Sequence, residues 1–229
     1  MPFSQKTIDF LVENKIHDSR EWYQEHKDLY REFLLEPFTE LVARLSPAML
    51  KIDPQFITEP RVDRTLSRIY RDTRFSKDKS LYRDNMWMVF MREKKLYEGL
   101  PAFYFDFSPQ GFSYGMGYYQ ASVASMDAIR QMALDNAAPF KKADKVFRKQ
   151  DIFRMEGEAY KRSKYPDQPP EKREWLDKKN ISFNCHSTDV DLLFSDSLAD
   201  ALMDGYMLLA PIYDFLCLAE RKRDAAKTI

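Results

Sequence analysis

The chain has 229 residues, with 36 Lys and Arg balanced by 36 Asp and Glu for a formal net charge of zero. The length suits one large domain or two small ones, and the neutral balance argues against a wholesale nucleic-acid binder, which carries a basic surplus. Only 6 Gly are present, and neither a dinucleotide fingerprint nor a phosphate-binding P-loop occurs. Hydrophobic residues at 44% and charged residues at 31% fit a soluble globular chain. Cys185 and Cys217 lie far apart and read as reduced thiols. The N-terminus lacks a basic segment followed by an apolar one, and no run of 18 apolar residues occurs, so the expectation is a cytoplasmic protein with no membrane span.

The first fifty residues read as helical. Ser4 caps a helix to about Asn14, with Ile8, Leu11 and Val12 on one face. A second helix starts at Asp18 or Ser19 and carries Trp22, His26, Leu29, Tyr30 and Phe33 at helical spacing. Pro37 is expected to interrupt it before another amphipathic set, Phe38, Leu41, Val42 and Leu45. Residues 61–71 alternate loosely and contain Thr65, Ile69 and Tyr70, which favour a strand. MWMVFMR (86–92) reads as a buried strand, and 101–108 with 111–119 as a hairpin turning at Pro109-Gln110.

Helical texture returns at 122–136, and Pro139 opens a more basic helix to about Lys149. Residues 160–173 read as a loop, 171–179 as a short helix and 181–186 as a strand. The longest helix candidate spans 195–222, and Pro211 is expected to kink it or end it. Helices, then strands, then helices with one late strand predict an α+β fold, with an antiparallel or mixed sheet packed by the N-terminal and C-terminal helices.

The chemistry concentrates in RIYRDTRFSKDKSLYR (68–83), where six of sixteen residues are basic. Guanidinium groups converging near a loop hold phosphate or carboxylate bidentately. The expected ligand residues are therefore Arg68, Arg71 and Arg74 as clamps, Lys77 and Lys79 as added charge, Asp72 to orient a guanidinium or, in an enzyme, to act as a base, and Tyr70 and Tyr82 as walls. The competing reading is a structural salt-bridge network, with Arg71 or Arg74 on Asp72 and Lys77 or Lys79 on Asp78. Asp72 and Asp78 match no metal motif, and the positive charge around them opposes a cation, so no metal and no cofactor is expected.

Three His fall outside any HExxH, and the adjacent Cys185 and His186 point to opposite faces of a strand, so they form no ready dyad. A second basic-aromatic segment, Tyr160, Lys161, Arg162, Lys164 and Tyr165, suits phosphate contact and base stacking. An anionic small molecule is thus the first class of partner, a nucleic acid the second, and a purely structural or partner-binding role the third.

Three blocks carry a family likeness: REWYQEHKDLYREFLLEPF (20–38), RIYRDTRFSKDKSLYR (68–83) and YKRSKYPDQPPEKREWLDKKNISF (160–183). In order and approximate spacing they resemble the mostly bacterial family called domain of unknown function 2461, and the likeness covers nearly the whole chain. The resemblance implies one full-length domain in a bacterial protein. It brings no catalytic residue and no cofactor with it.

Overall fold

The computed structural model describes residues 3–93 and 99–227. The N-terminal third is helical: α1 (Gln5–His17), α2 (Arg20–Glu25), α3 (Lys27–Tyr30), a π-helical turn over Arg31–Leu35, and α4 (Glu36–Ile52). The strands are β1 (Met86–Phe90), β2 (Ala102–Ser108), β3 (Gly111–Gly117), β4 (Arg154–Glu156) and β5 (Ser182–Ser187). Helices α5 (Val123–Leu134), α6 (Ala138–Arg148), α7 (Pro170–Leu176), α8 (Val190–Leu193) and α9 (Leu198–Lys227) complete the described elements. The fold is α+β, with helices flanking one antiparallel five-stranded sheet of order β1-β2-β3-β5-β4.

The chain divides into two compact units interleaved in sequence. One comprises Met1–Phe90, Tyr104–Tyr114 and His186–Asp204, and the other Met91–Phe103, Gly115–Cys185 and Gly205–Ile229. In the first unit the alternation of β2 sorts its side chains: Phe105 and Phe107 are buried while Tyr104, Asp106 and Ser108 are half-buried. Phe3 packs against Phe107 and Phe38 with ring centroids 4.9 and 5.0 Å apart, and Leu41, Val42 and Leu45 of α4 join the same core. In the second unit Trp175 is fully buried among Phe140, Phe183 and Phe215, with centroids 5.5, 5.5 and 5.8 Å away.

Neither proline ends a helix. Pro37 lies in the first turn of α4, where no amide hydrogen is required, and the π-helical turn joins the preceding helix to it. Pro211 stays inside α9. A proline in a helix interior costs roughly 3 kcal/mol. Around it Leu209, Ile212, Phe215 and Leu216 are fully or almost fully buried, and each such side chain contributes about 1.5–3 kcal/mol, so burial outweighs the lost hydrogen bond. By length and composition α9 would be apolar enough to cross a membrane, and half of that stretch is buried inside the protein.

Residues 61–71 form no strand. Asp63 adopts a left-handed conformation (φ 69°), and the amides of Arg64, Thr65 and Leu66 all converge on the Arg61 carbonyl. The β-favouring residues instead reach β1 in short pieces, with Ser67 N–H donating to Trp87 O and Val89 N–H to Thr65 O. The pattern of alternating faces therefore does not apply to the arginines of this segment.

Candidate functional site

The run 68–83 is an irregular excursion closed at its base. Arg71 N–H donates to Leu81 O (2.8 Å) and Arg83 N–H to Ile69 O (2.9 Å), so Tyr70 and Tyr82 face one another across an isolated antiparallel bridge. The C-terminus of α1 laces this base from outside. Asp18, left-handed at φ 45°, accepts the Leu81 and Tyr82 amides on Oδ1 at 2.7 and 3.1 Å. Lys15 Nζ donates to Ser80 Oγ (2.9 Å) and Tyr82 O (3.3 Å).

Inside the excursion most of the expected cations are engaged locally. Arg68 pairs with Asp63. Arg74 pairs with Asp72 at 2.6 Å, and this guanidinium holds the Asp72 carboxyl down at about 2. Lys79 donates to Thr73 O at 2.8 Å. Arg71 fastens the loop from beneath by donating to Asp78 and Ser80. The Ser80 amide, followed by Arg71, keeps the Asp78 carboxyl far below its ordinary range. Lys77 is exposed and makes no hydrogen bond among the described residues. Of the pairings expected from sequence, Arg74 with Asp72 is present, and Asp78 takes Arg71 rather than a lysine.

Tyrosines form the floor. Tyr82 is wholly enclosed, with Tyr70 and Tyr23 rings 5.0 and 5.2 Å away, and Tyr30 lies 5.7 Å from Tyr23. Tyr70 is 39% exposed and is the cluster's open edge. Burial, then the neighbouring Tyr70, pushes the Tyr82 phenol well above its ordinary value, and the same two causes push Tyr30 up to about 12.

Two arginines outside the expected set border this floor. Arg20, exposed on α2, is close enough to act electrostatically on Tyr82 and makes no salt bridge among the described residues. Arg83 stacks its guanidinium over Trp87 at 4.7 Å. Its Nε is enclosed with no hydrogen-bond partner, and no carboxylate pairs with it among the described residues. Burial first, then repulsion from Arg71, lowers the Arg83 pKa. Arg83 was legible as part of the basic run, but nothing in its spacing separates it from its paired neighbours. Arg20 is brought in by the fold from 63 positions away.

The second basic segment is built differently. Tyr160 sits beneath Lys164 Nζ at 4.0 Å, with Arg130 and Lys179 at 5.5 and 5.6 Å from its ring. Arg130 is buried and fixed by the Leu176 and Lys178 carbonyls, so the ring is covered by cations that the protein itself supplies.

Residues 6–215 match the family described as Conserved hypothetical protein (DUF2461), and the chain belongs to that family. No curated protein matches the chain.

Proposed function

We propose that the protein binds a small anion, the phosphate or carboxylate group of a metabolite, at Arg83, with Arg71 and Arg20 strengthening the positive field and Tyr70 as the exposed wall. The observation that carries this reading is the Arg83 guanidinium, part-buried on Trp87 beside a second arginine, with no salt bridge among the described residues and only a weak pull from the Asp72 carboxylate. A part-buried cation is ordinarily paired, and an anion supplies the missing acceptor. Charge-assisted hydrogen bonds contribute about 1.5–3 kcal/mol each. In this reading Arg68, Arg74 and Lys79, already paired, shape the loop, and Lys77 adds unpaired charge.

Calorimetric titration with inorganic phosphate and with citrate at low ionic strength tests it. Arg83→Ala is expected to weaken binding at least tenfold, about 1.4 kcal/mol. Arg83→Lys should recover only part of the loss, because an ammonium lacks the planar fork. Equal affinity in the parent protein and Arg83→Ala sinks the reading.

A further inference from the structure

A concavity lies within the first unit. It is a cleft of about 360 Å³ at the β2–β3 hairpin, lined by Asp106 and Ser108 of β2, Gln110 in the turn, Ser113 of β3, and His186 and Thr188, among others. Its shape depends on Gly111. This residue is held at φ +138°, and a Cβ there would lie 2.5 Å from the Ser187 carbonyl, so the turn lies directly against the 187 backbone.

Asp106 is its most informative residue. Asn85 Nδ2 donates to Oδ2 at 2.7 Å, while Oδ1 makes no hydrogen bond among the described residues. Burial, with a lesser push from Asp84, raises the Asp106 pKa against the effect of Asn85. A half-buried carboxyl that lines a cavity and has one oxygen without a hydrogen bond is characteristic of a ligand site. Ser113 Oγ, the Gln110 side-chain amide and the Thr188 hydroxyl also make no hydrogen bond among the described residues.

The lining also indicates the chemistry of the ligand. No Lys or Arg lines the cleft, and Asp84 lies close enough to repel negative charge, so phosphates and carboxylates are disfavoured here. The volume lies near the low end for small-molecule sites. Hydroxyl, amide and imidazole groups each donate and accept, which matches a ligand bearing several hydroxyls.

We propose that this cleft is a binding site for a small neutral polyhydroxylated molecule, of the monosaccharide or cyclitol class, anchored by Asp106, Gln110, Ser113 and His186. A side-chain amide keeps the acceptor oxygen that Asp106 Oδ1 offers a hydroxyl, whereas an alkyl side chain keeps none, and this sets the test. Binding of D-glucose, D-galactose and myo-inositol to the full chain is followed by ligand-observed NMR and calorimetry. Asp106→Asn should keep the affinity of the binding sugar within about threefold, whereas Asp106→Leu, which removes both carboxyl oxygens, should weaken it more than about tenfold.

The stability of Asp106→Asn gives an independent readout. A folded pKa raised above the carboxyl's ordinary value of 3.8 means that stability is lost as pH climbs from there through the folded pKa. Asp106→Asn should therefore melt higher than the parent at neutral pH and equally below the ordinary carboxyl pKa. No binding by any of the three probes, or full affinity in Asp106→Leu, overturns the site. Binding of a diamine probe that Asp106→Asn abolishes overturns the neutral class. A lower melting temperature for Asp106→Asn at neutral pH overturns the reading of Asp106 as a carboxyl whose ionised form is disfavoured by burial.

Discussion

Trp175→Ala is expected to destabilise the protein by about 3–5 kcal/mol, the range for emptying a buried aromatic position. The side chain is fully enclosed and meets four rings, Phe140, Phe147, Phe183 and Phe215. Its Nε1–H also donates to Asp144 Oδ1 at 2.8 Å. Alanine removes the whole volume and leaves the four rings without a shared partner. In a chain of this size each kcal/mol shifts the melting temperature by roughly 2–4 °C, so a fall of about 6–20 °C should be read by calorimetry. Trp175→Phe separates the contributions: it keeps most of the packing and loses the hydrogen bond, worth about 1 kcal/mol. A loss below about 1 kcal/mol for Trp175→Ala would show that this cluster is not the centre of its unit's core.

Asp18→Ala should cost about 2–4 kcal/mol, a large effect for a half-exposed residue. Its carboxylate accepts both the Leu81 and Tyr82 amides, and bonds of this charge-assisted kind contribute about 1.5–3 kcal/mol each. Part of that returns when water solvates the released amides. The backbone contributes as well, because φ 45° suits Asp or Asn better than Ala. Urea titration should show a lower midpoint with an unchanged slope, the signature of lost stability rather than altered compactness. Asp18→Asn keeps an acceptor and the left-handed tolerance and should lose about half as much. Because Asp18 fixes the backbone from which Arg83 projects, phosphate binding should weaken in Asp18→Ala as well. Unchanged stability in Asp18→Ala would mean that the loop base holds without α1.

The elements legible in the sequence are those with long, regular periods. The 101–119 hairpin was readable because aromatic alternation ran on both sides of Pro109-Gln110, and it is realised as β2 and β3. The helices after Ser4 and Ser19 were readable from capping residues and apolar spacing, and each begins as expected. The three-residue β4 and four-residue α8 escaped because so few residues carry no periodicity. The 61–71 strand was misread because composition there favoured extended chain, while one left-handed residue, Asp63, turned the backbone. At the basic run the sequence located the charges but not their partners. Whether Arg74 meets a ligand or Asp72 is decided by a two-residue reach, whereas Arg83 is singled out by Trp87 and Arg71, which only the folded loop brings near. Asp106 was hidden for the opposite reason, since a polar residue between two Phe in an alternating strand looks like an ordinary surface position.

That alternation has one more consequence. β2 reads Phe105, Asp106, Phe107, with the two rings packed against Phe3 and the carboxyl on the other face. Sliding the strand by a single residue would drive Asp106 into the phenylalanine cluster and put both rings on the half-open side. An ionisable group set among aromatics in this way makes every shift by an odd number of residues costly, because each such shift takes it away from water. The residue that gives the cleft its chemistry therefore also acts as a registration pin for the strand that carries it.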